Sequence, residues 1–442
     1  RCVVTASYEA DLAESVETWC PNVAYYDYEA EKYADQEEKW WYTCNNPKAP
    51  YPTMHTEDTL LSARTMGWMM NEYNITGNLY WAVNIYAQYE NNAYKPLDDY
   101  FSQASHFPNV NGDGYLFYPG GQYGLSSPIA SIRLEALRDG LEEYEIGYAL
   151  KNAYANLPKE NAEESFNGIY KNLTSSLYSG TRVNTTVQSF AAARRNLYDL
   201  AALAGSEANV CLTNFTDDDY GHLSYEIYAK KGYALKNGGK TLTPVRENGD
   251  YSVYELAFDL AKGENEIALS VACGGKIYTF EKYLGGKVTA YKAEQFAGNF
   301  SVLDGATVEA ELVPALTGGN DTWMNVKVGK AASKKWQNFK WTNELFSSLN
   351  AQSKKLVFHI YLSGDKELPL TVSAKYKNSS ILSDLSKCTL KPGMNVVMIS
   401  GLDAFEWNRL GGVEYLAFYL GAKKGNAAVN GLYIADVAAY SV

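Results

Sequence analysis

The sequence predicts a multidomain fold in three parts: parallel β/α units with C-terminal helices, then an Ig-like β-sandwich, then a jelly-roll β-sandwich. The chain has 442 residues, too many for one hydrophobic core. Residues 1–204 alternate short apolar runs with helical stretches, which is the pattern of parallel β/α units. After Gly205 this pattern gives way to period-two alternation interrupted by Gly and Asn turns, which is typical of sandwiches.

Strands and helices are predicted in turn in the first part. The predicted strands are RCVVT (1–5), NVAYYDY (22–28), KWWYTC (39–44) and GNLYWAVN (77–84). Helices are predicted between them at 8–19, 29–38 and 57–73.

A longer helix is predicted to begin at Pro128, with Ser127 as its cap. Arg138 and Glu142 lie four residues apart on its expected solvated side. Two further helices are predicted at 159–178 and 185–204, the second with Gly205 as C-cap. The apolar stripe expected to face the core consists of Leu134, Leu137, Leu141, Tyr144 and Tyr148.

The predicted domain boundaries follow from these patterns. Residues 1–155 hold the β/α units, and 156–205 are a helical extension. Residues 206–287 are predicted to form the small β-sandwich, and 288–442 contain enough strands for a jelly roll.

Composition narrows the possible partners. A net charge of −12 argues against nucleic acid or an anionic membrane, and no run of about 18 apolar residues predicts a membrane span. The chain holds 37 Tyr and 9 Trp, whose flat apolar faces and polar edges suit sugar rings, although β-rich proteins also use Tyr widely. No Cys/His cluster has metal spacing, so no metal or cofactor is expected. The six Cys form either one or two disulfides or buried free thiols.

Candidate binding residues lie where predicted strands end. In parallel β/α folds the loops after the strands build the site, so Tyr42 and Trp81 are expected to line it. Of Trp40 and Trp41, one is expected in the core and one in the site, because strand neighbours face opposite ways.

Three further candidates are polar or lie in a loop. Asn84 either reaches a ligand hydroxyl or serves as a turn residue. Asp113 and Tyr118 belong to the glycine-rich loop 107–124, in which 111–114 also fit a hairpin turn. The carboxylates of the helix predicted to begin at Pro128 are expected to face solvent. No nucleophile or phosphate-binding motif is present in the sequence.

Five blocks occur in an order that resembles a known family. They are WWYTC…PYP (40–52), RTMGW (64–68), ITGNLYWAVN (75–84), NGDGYLFYPGG (111–121) and SIRLEALRDGLEEYE (131–145). Together they resemble the C-terminal half of the catalytic barrel of glycoside hydrolase family 123, the β-N-acetylgalactosaminidases, and their uncharacterised bacterial relatives. The resemblance implies that residues 1–155 form a partial (β/α)8-type barrel.

The same resemblance implies a retaining, substrate-assisted hydrolysis of N-acetylhexosamine glycans. The 2-acetamido oxygen attacks the anomeric carbon, an Asp orients the acetamido group and an adjacent Glu is the acid/base. Glu57–Asp58, between the first two blocks, is in the wrong place for this pair, so no catalytic residue is assigned here. We therefore expect a fragment, inactive by itself, of a longer protein with further βα units upstream.

The jelly roll resembles carbohydrate-binding modules of extracellular bacterial glycosidases, so an extracellular or cell-surface location is expected. Its tryptophans, which either stack on sugar or close the sandwich core, are Trp323, Trp336, Trp341 and Trp407. Two alternatives to the glycosidase remain open: a cell-surface protein that binds glycans without cutting them, and a purely structural one. The sugar, its linkage and the oligomeric state are not predicted.

Overall fold

The computed structural model describes residues 2–91, 93–96, 110–218, 221–295, 300–301, 307–332, 334–342, 355–380, 382–400, 411–422, 424 and 428–441. The chain divides into two compact units. The first unit comprises 1–215, 226–255 and 268–281, and the second comprises 216–225, 256–267 and 282–442. Within the described residues, no helix is both long enough and apolar enough to cross a membrane.

The first unit begins with short strands that run parallel to one another. The strands up to residue 183 are β1 (Val3–Val4), β2 (Thr18–Trp19), β3 (Trp40–Thr43), β4 (Gly77–Tyr80), β5 (Ala87–Glu90), β6 (Ala93–Pro96), β7 (Phe117–Tyr118), β8 (Ile129–Ala130), β9 (Tyr178–Ser179) and β10 (Arg182–Val183). Strand β1 pairs in parallel with β2, and β3 with β4. A parallel bridge between Asn22 and Tyr42 links the segment after β2 to β3. Parallel β/α pairing is therefore present, while the (β/α)8-type barrel stays a prediction.

Five α-helices accompany these strands in the described residues. They are α1 (Val23–Glu29), α2 (Leu60–Tyr73), α3 (Ile132–Ala155), α4 (Ala162–Thr174) and α5 (Val187–Gly205). Helix α1 and two short 3₁₀ helices, Ala10–Leu12 and Ala30–Tyr33, occupy the region before β3.

The strand predicted at 22–28 is wrong, because this segment is helix α1. The Asn22 side chain accepts a hydrogen bond from the Ala24 amide, which caps the helix. Val23 and Tyr26, three residues apart, are both buried. The helix predicted at 8–19 is also wrong, since the segment holds one 3₁₀ turn and strand β2.

Helix α3 begins four residues later than predicted. Ser131, not Ser127, is the N-cap and accepts from the Leu134 amide at 3.2 Å. Ile129–Ala130 instead forms β8, which pairs with β7. Helix α5 includes Gly205, which was predicted to be its C-cap, and begins with a capping box between Thr186 and Ser189.

The apolar stripe of α3 is only partly buried, because the most buried face lies beside it. Leu141 and Tyr148 are 41% and 48% exposed and the other three residues are half-buried, whereas Gly140, about 100° around the helix from Leu141, is buried. A Cβ added to Gly67 of α2 would lie 2.0 Å from the Gly140 carbonyl oxygen, so the helices meet backbone to backbone. Glycines on both helices allow an approach that a leucine stripe would prevent.

Glu143 is a buried carboxylate, contrary to the expectation that the acids of α3 face solvent. Its oxygens accept from Arg64 Nη2 at 2.5 Å, Trp68 Nε1 at 2.8 Å and Arg194 Nε at 2.8 Å. These donors come from α2 and α5, so the ion cluster joins three helices. The predicted Arg138–Glu142 pair is confirmed at 3.6 Å on the exposed side.

Residues 211–283 form two four-stranded sheets. Their strands are β11 (Cys211–Asp217), β12 (His222–Lys230), β13 (Leu235–Asn237), β14 (Lys240–Thr241), β15 (Arg246–Asn248), β16 (Tyr251–Asp259), β17 (Glu266–Cys273) and β18 (Lys276–Tyr283). The strand orders are β11-β12-β16-β15 and β14-β13-β17-β18.

The remaining strands form a sandwich of a six-stranded and a five-stranded sheet. They are β19 (Gly286–Lys292), β20 (Phe300–Ser301), β21 (Val308–Pro314), β22 (Thr322–Val328), β23 (Gln337–Trp341), β24 (Lys355–Leu362), β25 (Leu368–Tyr376), β26 (Leu382–Leu390), β27 (Gly393–Ser400), β28 (Val413–Leu420) and β29 (Val429–Ser441). One sheet has the order β21-β22-β29-β24-β27, with β19 also on β29, and the other has β20-β23-β28-β25-β26. Met324, Phe358 and Ile434 of the first share one core with Phe339 and Phe418 of the second.

The tryptophans of this sandwich differ in position. Trp341 is in the core, stacked on Phe300. Trp323 is 5% exposed, and Trp336 is half-buried with its ring edge toward Tyr419. Trp407 lies outside the described residues. All six cysteines are free, so the alternative without disulfides is the one observed.

Candidate functional site

Strand β3 has one face covered by helices and one face that is partly open. Trp41 is fully buried and meets the rings of Tyr26 in α1 and Tyr73 in α2 edge-on, at 5.6 and 6.2 Å. Trp40 and Tyr42, which alternate with Trp41, are only half-buried. Trp41 is thus the core residue of the pair, and the opposite face of the strand is available to a ligand.

Gly77 lets the Trp40 ring lie against strand β4. The two residues are register partners, and a Cβ on Gly77 would come within 2.3 Å of the indole ring. The open face therefore begins with an indole ring packed flat on a strand backbone.

Tyr42 lies one step further along the same face. Its register partner is Leu79. Burial raises the pKa of Tyr42, the nearby Cys44 raises it further, and a hydrogen bond with Asn22 opposes the shift. The phenol hydroxyl thus lies among polar groups at the carboxyl end of β3.

Asp113 is the centre of a buried hydrogen-bond network at the end of β4. Its Oδ1 accepts from the Tyr80 hydroxyl at 2.9 Å and from Trp81 Nε1 at 2.8 Å. The Gly114 amide donates to the Tyr80 oxygen at 2.9 Å, which completes a chain of donors. Burial, and then the charge of Asp113, raises the pKa of Tyr80 well above its usual value, so this phenol stays protonated and donates.

Among the described residues, the second oxygen of Asp113 has no hydrogen-bond partner, although it is buried. The residue is 0% exposed, and its Oδ2 is the unpartnered atom. A buried carboxylate oxygen without a donor is costly, which points to a donor that the described residues do not supply. The same carboxylate raises the pKa of Cys44, after burial has done so, which puts the end of β3 near it.

Arg133 fixes the loop that carries Asp113. Its Nη1 donates to the carbonyls of Met54 at 2.5 Å and Gly112 at 2.6 Å, and its Nη2 to that of Tyr115 at 2.5 Å. Nη2 also reaches the Tyr118 hydroxyl at 3.3 Å. Because Arg133 lies in the first turn of α3, the capped start of this helix holds the loop in place.

Gly112 makes this attachment possible. Its φ of +76° is in the left-handed region, and a Cβ there would lie 2.4 Å from Arg133 Nη1. The predicted turn at 111–114 is present, since the Tyr115 amide donates to the Gly112 carbonyl. On the far side, both oxygens of Glu57 accept from the Asn111 amide at 3.2 Å.

Asn84 is placed differently from its prediction as the polar end of a parallel strand. Strand β4 ends at Tyr80, and Asn84 is an exposed residue in an antiparallel bridge with Tyr115. It belongs to the segment that runs beside the Asp113 loop, where the Ile85 amide donates to the Gly114 carbonyl.

The five candidate residues are brought together to different degrees. Trp81 and Asp113 are bonded directly, and Tyr118 is joined to the loop through Arg133. Asn84 flanks the same loop through its backbone bridge, while Tyr42 lies on the neighbouring strand. A sugar contact by any of the five stays a prediction.

Sequence reasoning missed Tyr80, Cys44 and Arg133. Tyr80 and Cys44 lie beside residues that were chosen, but alternation alone assigned them to no site. Arg133 was visible inside the block SIRLEALRDGLEEYE, where its charge among apolar residues was the one available signal.

The side chains of Glu57 and Asp58 make contacts within the loops. Glu57 holds Asn111, while Asp58 accepts from the Thr53 hydroxyl and lies 3.7 Å from His55 Nδ1. Burial raises the pKa of Asp58. Neither acid is bonded to the Asp113 network, and no group of three or more metal-ligating side chains occurs among the described residues.

The geometry defines a class of site: an open strand face with aromatic rings, next to a buried carboxylate that has a free acceptor. Aromatic faces and oriented acceptors are the groups that recognise a polyhydroxylated ring. Residues 3–149 match the family model described as glycoside hydrolase 123, catalytic domain. The resemblance read from the five sequence blocks is thereby confirmed, and this region is glycoside hydrolase-like.

Several solved structures resemble part of the chain. They include the family 11 carbohydrate-binding module from Clostridium thermocellum, in complex with a β-1,3-1,4-mixed-linked tetrasaccharide (13% identity, 36% of this chain and 96% of that chain, TM-score 0.24). Others are the CBM22-1 xylan-binding domain of Paenibacillus barcinonensis Xyn10C (10%, 36% and 94%, 0.24) and TmCBM27, described for specific mannan recognition (14%, 36% and 98%, 0.24). At these identities and TM-scores the likeness carries no conclusion about this chain. A search of curated proteins gives no match.

Proposed function

We propose that the first unit binds an N-acetylhexosamine-containing glycan in a glycosidase-like cleft formed by the open face of β3 and β4 and by the Asp113 loop. One observation carries this proposal: Asp113 is fully buried, one oxygen is held by Tyr80 and Trp81, and the other has no partner in the part of the chain that the structure describes. A hydroxyl or amide N–H of a sugar would supply the missing donor. The half-buried rings of Trp40 and Tyr42 offer the apolar contact beside it.

The family match supports a glycosidase-type substrate and a retaining mechanism assisted by the 2-acetamido group. In such a mechanism this region orients the sugar, and the acid/base comes from elsewhere in a partial (β/α)8-type barrel. Glu57 and Asp58 do not supply it, because each is already bonded within the loops. The chain by itself is therefore proposed to bind without hydrolysing.

The alternative is a cell-surface protein whose function is glycan binding alone. The engagement of Glu57 and Asp58 in loop contacts favours it, since neither acid is left for proton transfer to a sugar. Both versions include an extracellular or bacterial cell-surface location, which fractionation of the native cells tests.

Calorimetric titration of the full chain with N-acetylgalactosamine and N-acetylglucosamine oligosaccharides tests the proposal. Asp113→Asn should weaken binding at least about tenfold, because a hydrogen bond to a charged acceptor contributes about 1.5–3 kcal/mol. Asp11→Asn, an exposed aspartate in the same unit, is the matched control and should bind like wild type. Equal affinity of wild type and Asp113→Asn would refute the site.

Two further measurements separate substrate and mechanism. Oligosaccharides that lack the acetamido group should bind more weakly than those that carry it; equal binding would remove the substrate class. Incubation with aryl N-acetyl-β-hexosaminides should release no product from this chain. Release of a product with inverted anomeric configuration, followed by NMR, would contradict the retaining mechanism.

A further inference from the structure

The outward face of the six-stranded sheet in the second unit carries a continuous row of side chains. In strand β22, Met324 and Val326 are in the sandwich core, so Asn325 between them faces outward. By the same alternation, Tyr433 of β29 lies outward between two core residues, and so does Tyr361 of β24.

Backbone register aligns these outward residues across five strands. Glu311 of β21 pairs with Asn325, Asn325 with Tyr433, Tyr433 with Tyr361, and Tyr361 with Met394 of β27. With neighbouring strands about 4.8 Å apart, the row spans roughly 19 Å. It is therefore an elongated strip, in the order acid, amide, phenol, phenol and thioether.

The phenol rings form the apolar part of this strip. Tyr361 and Tyr433 meet at 6.2 Å between centroids, and both are half-buried, so part of each ring reaches solvent. Trp323, two residues before Asn325, supports Tyr361 from the side at 5.4 Å and is itself only 5% exposed. Two supported rings with exposed surface differ from isolated surface tyrosines, because their orientation is fixed.

Asn325 supplies an independent polar feature that points to a ligand. It is 5% exposed, and its Nδ2 donates to Glu311 Oε1 at 3.3 Å. A carboxylate only accepts, so this contact fixes the amide orientation and turns Oδ1 away from Glu311. That Oδ1 is buried, and none of the described residues donates a hydrogen bond to it. Asn325 Oδ1 is therefore an oriented acceptor beside two phenol rings, and a ligand hydroxyl would supply its donor.

The charged side chains beside the strip are paired with one another and not with Asn325 Oδ1. Glu311 is also paired with Lys327 Nζ at 2.5 Å, and Lys327 follows Asn325 on the same face. At the other side, Asp436 and His359 form a pair at 2.6 Å. The Glu311 charge is offset by Lys327, and Asp436 is hydrogen-bonded to His359, so the strip favours a neutral, hydroxylated ligand over an ionic one.

We propose that this strip (Glu311, Asn325, Tyr433, Tyr361 and Met394) is a second glycan-binding site, which holds a neutral polysaccharide chain lying across the strands. The apolar face of one sugar ring stacks on one of the two phenol rings, the next sugar lies against the other ring, whose plane is turned by 69°, and one hydroxyl donates to Asn325 Oδ1. This site lies in a different unit from the Asp113 cleft, and it stands whether or not that cleft binds sugar.

Affinity electrophoresis of the full chain tests the strip, in gels that each contain xylan, galactomannan, mixed-linkage β-glucan or hyaluronan. At least one neutral polysaccharide should retard the wild-type chain. Tyr433→Ala and Tyr361→Ala should each raise the dissociation constant about tenfold, and Asn325→Ala about fivefold. Tyr433→Phe keeps the ring and should keep most of the binding.

The matched control is Tyr415→Ala, which removes a half-buried tyrosine from β28 of the other sheet. It should be retarded like wild type. Circular dichroism and thermal midpoints verify that every variant is folded. Asp113→Asn should leave this retardation unchanged, so that failure of the strip and failure of the Asp113 cleft are told apart.

Three results would overturn the strip. One is a wild-type chain that none of the neutral polysaccharides retards. The second is a folded Tyr361→Ala/Tyr433→Ala double variant that migrates like wild type. The third is loss of retardation in Tyr415→Ala instead, which would move binding to the opposite sheet.

Discussion

Replacing Glu143 by Gln tests how the three helices of the first unit are held together. The substitution keeps the shape of the side chain and removes its charge. In the native cluster the carboxylate accepts from Arg64, Trp68 and Arg194, and its own side chain is 1% exposed. Gln offers one acceptor and presents an NH₂ group to donors that cannot accept from it.

The expected loss is about 3 kcal/mol of unfolding free energy. Removing one partner of a buried ion pair typically costs about 3–5 kcal/mol. The Arg64 side chain is 22% exposed and that of Arg194 46%, so solvent screens both and the lower end of the range applies. Trp68 is fully buried, and its Nε1 keeps a partner only if the amide oxygen turns toward it.

Urea denaturation of the full chain measures this loss, followed by a probe confined to the first unit such as iodoacetamide labelling of the buried Cys20. With a slope near 3 kcal/mol per M, the midpoint should fall by about 1 M. Because the cluster is buried, the difference should persist in about 1 M NaCl, where surface pairs are screened.

Glu142→Gln is the control, since it makes the same chemical change one residue away on the solvated side, where the side chain is 66% exposed. Its midpoint should match wild type. The reasoning fails if Glu143→Gln loses less than about 1 kcal/mol, or if both variants lose the same amount.

Three further predictions concern packing, thiols and pH. Gly67→Ala should destabilise the chain by about 1–3 kcal/mol in the same assay, because its methyl meets the backbone of α3; Gly168→Ala, with open space around it, should not, and equal effects would contradict the close contact. Burial raises the pKa of Cys20 and of Cys211 to about 12, so iodoacetamide at about pH 8 should label neither until urea unfolds the chain; mass spectrometry that finds rapid native labelling would contradict their burial. Burial also raises the pKa of Asp58, so its folded form binds the proton more tightly than its unfolded form, and wild type should lose stability relative to Asp58→Asn as pH rises above about 4; a constant difference measured by denaturation across that range would refute the shift.

Local patterns predicted an element correctly where only one periodicity fitted the segment. The run KWWYTC predicted β3, with one of Trp40 and Trp41 inward but not which one, and the stretch before Gly77 predicted helix α2. In the segment NVAYYDY the same aromatic residues fit both a strand and a helix. The Asn22 cap favours the helix, and the buried pair Val23 and Tyr26 fits its spacing.

The face of α3 that is buried could not be predicted from its composition. Its leucines form a stripe, but Gly140 permits a closer contact with Gly67 of α2 on the neighbouring face, and this contact leaves the stripe only partly buried. Glu143 lies on the same buried face, where Arg64 and Arg194 of neighbouring helices donate hydrogen bonds to its carboxylate. No pattern within α3 indicates that two arginines from other helices will neutralise one of its acids.

The candidate site divides in the same way. Sequence placed Trp81 at a strand end and Asp113 in a glycine turn, because alternation and turn chemistry are local properties of neighbouring residues. The sequence did not predict that Trp81 Nε1 lies 2.8 Å from Asp113 Oδ1. Nor did it predict that Asp113 Oδ2 lacks a hydrogen-bond donor among the described residues. That arrangement depends on Arg133, which pulls a distant loop onto the end of β4. The sequence by itself determined β3, α2 and the turn at 111–114. Only the tertiary structure decided which polar atoms meet, because hydrogen bonds between residues far apart in the chain depend on three-dimensional positions that no local pattern encodes.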